Sequence, residues 1–142
     1  MQALIKFCVD NAEDIKNSIH SIIISTLIPN TEEERQSIMK MDFMAIKKWF
    51  MDDIRKRKIY QHFSEFNSTK KLKVFSQNFN NFILDRNKYT HAQLCFVSPN
   101  YDYAIDYIET PEQQSTYAKI DIEILKSYNV FYIKILKVIS EY

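Results

Sequence analysis

No glycine occurs anywhere in the 142-residue chain, where average usage of about 7% would supply roughly ten. Glycine reaches positive φ without cost and lets a backbone approach a phosphate with no Cβ in the way. P-loops and dinucleotide-binding fingerprints depend on it, so both are excluded. The two-residue hairpin turns that tie many-stranded sheets together lean on it as well. The expectation is an all-α fold in which helix dominates, with at most a short strand pair near residues 96–110.

The length suits a single domain over residues 1–142, large enough for a core that needs no disulfide or metal staple. Hydrophobic residues at 46% and charged residues at 26% are those of an ordinary globular protein. Cys8 and Cys95 cannot form a four-cysteine zinc site and read as buried thiols. His20, His62 and His91 show no paired metal spacing, so no metal and no cofactor is expected. The most apolar run, Ile19 to Ile28, is broken by His20, Ser21 and Ser25 and falls short of the ~20 residues a membrane span needs. Asp10, Glu13 and Asp14 follow Phe7 too closely for a secretion signal. A cytoplasmic protein with no membrane partner is the expectation.

Apolar residues recur at helical spacing along most of the chain. Leu4, Cys8, Ala12, Ile15, Ile19, Ile22 and Ile23 form one stripe, ended by Pro29. Thr31 and Glu34 fit a capping box, and Glu32 to Glu34 suit the positive start of a helix. A second helical region passes through Ile38, Phe43, Ile46, Phe50 and Ile54, bent near Met41-Asp42. Ser68 or Thr69 caps a third, which carries Leu72, Phe75, Phe79, Phe82 and Ile83. Residues 96–110 read as an irregular connection. Thr110, Pro111 and Gln113 have the chemistry of another helix start, leading to a final helix through Ile120, Ile124, Tyr128, Phe131, Ile135 and Val138. These segments predict an antiparallel bundle of four to five helices.

Charge is unevenly spread. Residues 1–46 and 89–142 each carry four basic and seven acidic residues, whereas residues 47–88 carry eleven basic and four acidic, a net of +7. Lys and Arg clustered in this way suit a nucleic-acid backbone, because they release its condensed counterions. Arg55, Arg57, Lys70, Lys71, Lys73 and Lys88 are the candidate RNA-binding residues. An acidic protein surface would suit the same block.

One constellation carries chemistry. Near the end of the third helix stands Arg86-Asn87-Lys88-Tyr89-Thr90-His91. At 100° per residue Arg86 falls on the centre of the stripe made by Phe75, Phe79, Phe82 and Ile83, where an arginine has to be paired. Arg86 and His91 lie about 140° apart on an ideal helix. A two-fold dimer could bring the motifs of two chains face to face.

An arginine, a polar residue, three further residues and a histidine, late in a helical domain of this size, resembles the HEPN family of ribonucleases and toxins. The likeness covers roughly residues 70–140. It implies a HEPN-like bundle, and a homodimer whose two motifs share a cleft that cleaves RNA without metal. His91 would then be the acid/base, Arg86 the phosphate-binding residue and Asn87 the polar position after the arginine. A toxin or antiviral defence role, held in check by an antitoxin or another regulatory protein, is implied in the same way. Arg57-Lys58-Ile59-Tyr60-Gln61-His62 repeats the spacing, but Lys58 departs from the polar position.

These residue types suit the reaction. Attack by an RNA's own 2′-hydroxyl needs a base that titrates near neutrality, which histidine is, and a fixed cation for the charge that builds on phosphorus. Tyr101, Tyr103 and Tyr107 could stack on bases or pack a loop on the bundle. The competing reading is a non-catalytic helical module that dimerises or holds a partner through its basic surface. An Arg86/His91 pair separated or buried would favour that module.

Overall fold

A computed structural model describes residues 2–90, 93–97, 102–107, 116–119 and 122–142, the strands among them by their backbone. Among the described residues there are five α-helices: α1 (Gln2–Leu27), α2 (Glu32–Met39), α3 (Phe43–Arg57), α4 (Thr69–Thr90) and α5 (Ile122–Ile139). Two short 3-10 turns, Ile59–His62 and Ser64–Phe66, join α3 to α4.

The helix starts follow local chemistry. Thr31 Oγ1 accepts from the Glu34 amide at 3.1 Å, and the Glu34 carboxylate accepts from the Asn30 amide at 2.9 Å. Asp42 Oδ1 accepts from the Ala45 amide at 2.8 Å, which turns the expected bend into a true break between α2 and α3. Ser68 Oγ caps α4 through the Lys71 amide at 3.2 Å. Lys58 ends α3 in the left-handed region, φ 57°, where other chains would place glycine.

The apolar stripes of α1, α3, α4 and α5 converge on one core. Ile15, Ile19, Ile23, Ile46, Phe50, Ile54, Phe79, Phe82, Ile83, Ile135 and Val138 are almost fully buried there. Phe131 of α5 packs against Phe75, Phe79 and Phe82 of α4 at ring-centroid distances of 5.1–5.5 Å. Phe43, at the start of α3, meets Phe79 edge-on at 6.0 Å.

Side-chain pairs set the directions of the helices. Asn11–Asn129 and Asp14–Tyr132 advance together, so α1 runs parallel to α5. Phe75–Phe131 and Asp85–Tyr128 advance oppositely, so α4 is antiparallel to α5. The expected antiparallel bundle therefore holds for α4 against α5 and not for α1 against α5. Short α2 carries the chain back between α1 and α3.

The all-α expectation is corrected at one place. Between α4 and α5 lies an antiparallel three-stranded sheet in the order β1 (Gln93–Val97), β2 (Asp102–Tyr107), β3 (Thr116–Lys119). Cys95 pairs with Ala104 and Ile105 with Ala118. β2 adjoins α4. Leu94 to Val97 and Tyr103 to Tyr107 are rich in the β-branched and aromatic types that favour strands, and a meander has no need of glycine within its strands. Because β3 precedes Ile122, no continuous helix leads from Thr110 into α5. Thr110 to Gln113, Tyr101 and Ile120 lie outside the described residues.

Candidate functional site

Arg86 sits on the last turns of α4 and points into the crease between α1 and α3. Its Nη2 donates to Glu13 Oε2 of α1 at 2.8 Å, and its Nη1 donates to Asn87 Oδ1 at 2.9 Å. The guanidinium carbon lies 5.9 Å from the centre of the Phe43 ring. Arg86 thus occupies the centre of the buried stripe and is paired, as its position requires. Its side chain is 18% exposed, against 47% for Glu13. Nε is buried without a hydrogen-bond partner among the described residues.

The α4 C-terminus brings Asn87 and Lys88 to the same end. Lys88 lies 3.9 Å from Asp85. The Asp85 carboxylate also accepts the Tyr128 hydroxyl of α5. Burial and then the bond to Asp85 push the Tyr128 pKa well above the usual phenol value. Cys8 of α1 is buried nearby, and burial, with a smaller push from Asp85, raises its pKa to about 12. Both groups are neutral at physiological pH and act as structure.

His91 follows the last residue of α4, Thr90, whose Oγ1 donates back to the Arg86 carbonyl at 2.8 Å. His91 itself lies outside the described residues.

The second arginine-to-histidine spacing looks different. Arg57 forms an ion pair with Asp53 at 3.0 Å and lies over the Tyr142 ring at 5.6 Å. Its side chain is 48% exposed, so the buried stripe of α3 ends at Ile54. Lys58 then breaks the helix, and His62 stands exposed on a 3-10 turn.

The candidate RNA-binding residues do not form one patch. Arg55 and Arg57 end α3 while Lys70, Lys71 and Lys73 begin α4, and only the two 3-10 turns separate them. Lys88 is at the other end of α4, about 25 Å from Lys71 at 1.5 Å per residue. The motif and the main basic cluster therefore occupy opposite ends of α4. Among the described residues no group of His, Cys, Asp and Glu side chains could hold a metal ion, and no helix is long and apolar enough to cross a membrane.

Sequence spacing could not supply Glu13, which lies 73 residues from Arg86. Its only signal was the need of a central buried arginine for a carboxylate. No known family, curated protein or solved structure matches the chain.

Proposed function

We propose that the protein is a homodimeric, metal-independent endoribonuclease of HEPN-like architecture whose Arg86 and His91 form a composite site across two chains. The observation that carries this reading is the anchored guanidinium of Arg86. Glu13 and Asn87 hold it at the end of α4, immediately before the histidine of the motif. An arginine fixed in this way meets the phosphorane charge with little reorganisation. His91 would take the 2′-hydroxyl proton and return a proton to the departing 5′-oxygen. The products are a 2′,3′-cyclic phosphate and a 5′-hydroxyl end. The clusters Arg55/Arg57 and Lys70/Lys71/Lys73 would bind RNA flanking the cleavage point.

One observation favours the other reading, a partner-binding helical module. Arg86 already has an internal carboxylate partner and little exposure, so the bridge to Glu13 could be its whole role. Cleavage of single-stranded RNA in EDTA decides between them. His91→Ala should lower the rate by about 10²–10⁴. Arg86→Met should lower it by about 10²–10³ while leaving the fold in place, since Met keeps the apolar bulk and the remaining Glu13, 47% exposed, is solvated by water. His62→Ala should have little effect. DNA, which lacks the 2′-hydroxyl, should be bound and left uncut. An inactive wild type, or activity that survives His91→Ala, would leave the module reading in place.

A further inference from the structure

Between α4 and α5 runs an open groove of about 740 Å³. Val74 and Leu84 of α4 and Ile124 and Val130 of α5 line it and remain 42–55% exposed. Isolated exposed aliphatics need no explanation, but four converging on one groove mark a recognition surface. Lys71, Lys88 and Lys134 line the same groove. The two carboxylates among its described lining residues are engaged: Asp85 by Tyr128 and Lys88, and Glu65 by Lys137 at 3.7 Å. The groove has an apolar lining interrupted by Asn78, Asn81 and Ser127, with lysines at its edges.

We propose that this groove docks an acidic amphipathic helix of a partner protein. Val74 and Leu84 are ten residues apart, about 15 Å along α4. A ligand helix of roughly three turns spans that distance with apolar anchors at i, i+3, i+4 and i+7. Its glutamates or aspartates would meet Lys71 and Lys134 at the edges. A second copy of this chain fits less well, because two-fold pairing through this face sets the same lysines against one another. Single-stranded RNA also fits less well. The groove's phenylalanine rings, Phe66, Phe75 and Phe131, are only 2–6% exposed and form the floor, leaving none free to stack on bases. The groove shares Lys71 with the proposed RNA-binding clusters but lies away from the proposed active centre: Arg86 faces α1 and α3, about 140° around α4 from the line of Val74, Asn81 and Lys88.

The test uses the full chain, without RNA, and a synthetic peptide of about 15 residues with leucines on one face and glutamates on its flanks. The control peptide has lysines in place of the glutamates. The glutamate peptide should bind at least about tenfold more tightly, a difference of about 1.4 kcal/mol. Amide shifts in NMR spectra should fall along α4 and α5. Lys71→Glu with Lys134→Glu should reverse the preference, and Leu84→Gln should weaken both peptides. The substituted side chains are at the surface, and the salt dependence of the wild type gives the same answer without any variant. Equal affinity for the two peptides, shifts on another face, or a dimer that dissociates with Leu84→Gln would overturn the proposal.

Discussion

Two polar side chains set into the bundle are treated in opposite ways. Arg86, partly buried, donates to Glu13 and Asn87. His20 is 7% exposed, and its Nε2 has no hydrogen-bond partner among the described residues. Burial lowers its pKa first, and Lys16 adds to the shift, against the weaker pull of the Ile38 and Met41 carbonyls and of Glu13. The folded state therefore resists protonating His20, whereas the unfolded chain takes up a proton near pH 6.5. Wherever the unfolded state binds more protons, stability rises with pH. His20's contribution is complete above about pH 6.5 and declines as pH falls from there until the buried imidazole itself protonates. Denaturant unfolding measured from pH 7.5 to 5 should show this loss. His20→Met should flatten that part of the profile and cost little at pH 7.5, because it removes an unsatisfied nitrogen while filling the site. An unchanged slope in His20→Met would assign the acid loss to other groups.

At the scale of elements, legibility followed locality. The caps at Thr31 and Ser68 could be read directly, because each bond spans three residues. The stripes of α1, α3, α4 and α5 could also be read, since their periodicity reports one buried face. The sheet, expected as at most a short strand pair near residues 96–110, was underread for a different reason. Antiparallel pairing such as Gln93 with Asp106 joins distant residues, and a five-residue strand offers too few positions for its period to stand out. The alternation of Tyr103, Ile105 and Tyr107 with Asp102 and Asp106 was the available signal. Absence of glycine argued against hairpins correctly in kind but too broadly, because longer connections can join strands without it. The same absence has a measurable consequence at the end of α3. Lys58 holds φ at 57°, a region that costs a residue with a Cβ about 1–2 kcal/mol. Lys58→Gly should relieve most of this, less about 0.4–1 kcal/mol for the looser unfolded chain. The net gain of about 0.5–1 kcal/mol should raise Tm by roughly 2–4 °C. Lys56→Gly, inside the helix, should lose about 1 kcal/mol instead. A Lys58→Gly variant that melts earlier, like Lys56→Gly, would mean the left-handed turn is held by the lysine side chain itself.

Across the whole molecule, charge is polarised along α4. Arg55 to Lys58 and Lys70 to Lys73 crowd one end, while Arg86 and its carboxylate partner stand near the other. That polarity constrains how two copies can meet. Pairing through the basic ends would set like charges together, whereas two-fold pairing at the Arg86 end keeps them apart and brings two motifs within reach of one RNA strand. The ribonuclease reading needs the second arrangement. Light scattering during size exclusion should then give about twice the chain mass of 17.0 kDa at tens of micromolar. Raising salt from about 0.1 to 1 M shortens the screening length from about 10 to 3 Å. A dimer closed at the motif end should survive this, because its contact does not rest on the basic clusters. A dimer closed at the basic ends should tighten instead, since salt removes its repulsion. Mixing His91→Ala chains with Arg86→Met chains adds a sharper criterion. If each active centre draws its arginine and histidine from different chains, mixed dimers place both defects in one centre and leave the other intact, so activity returns to up to about half of wild type per mixed dimer. A monomer at every concentration, or a mixture as inactive as its parents despite subunit exchange, would reduce Arg86 to the internal partner of Glu13.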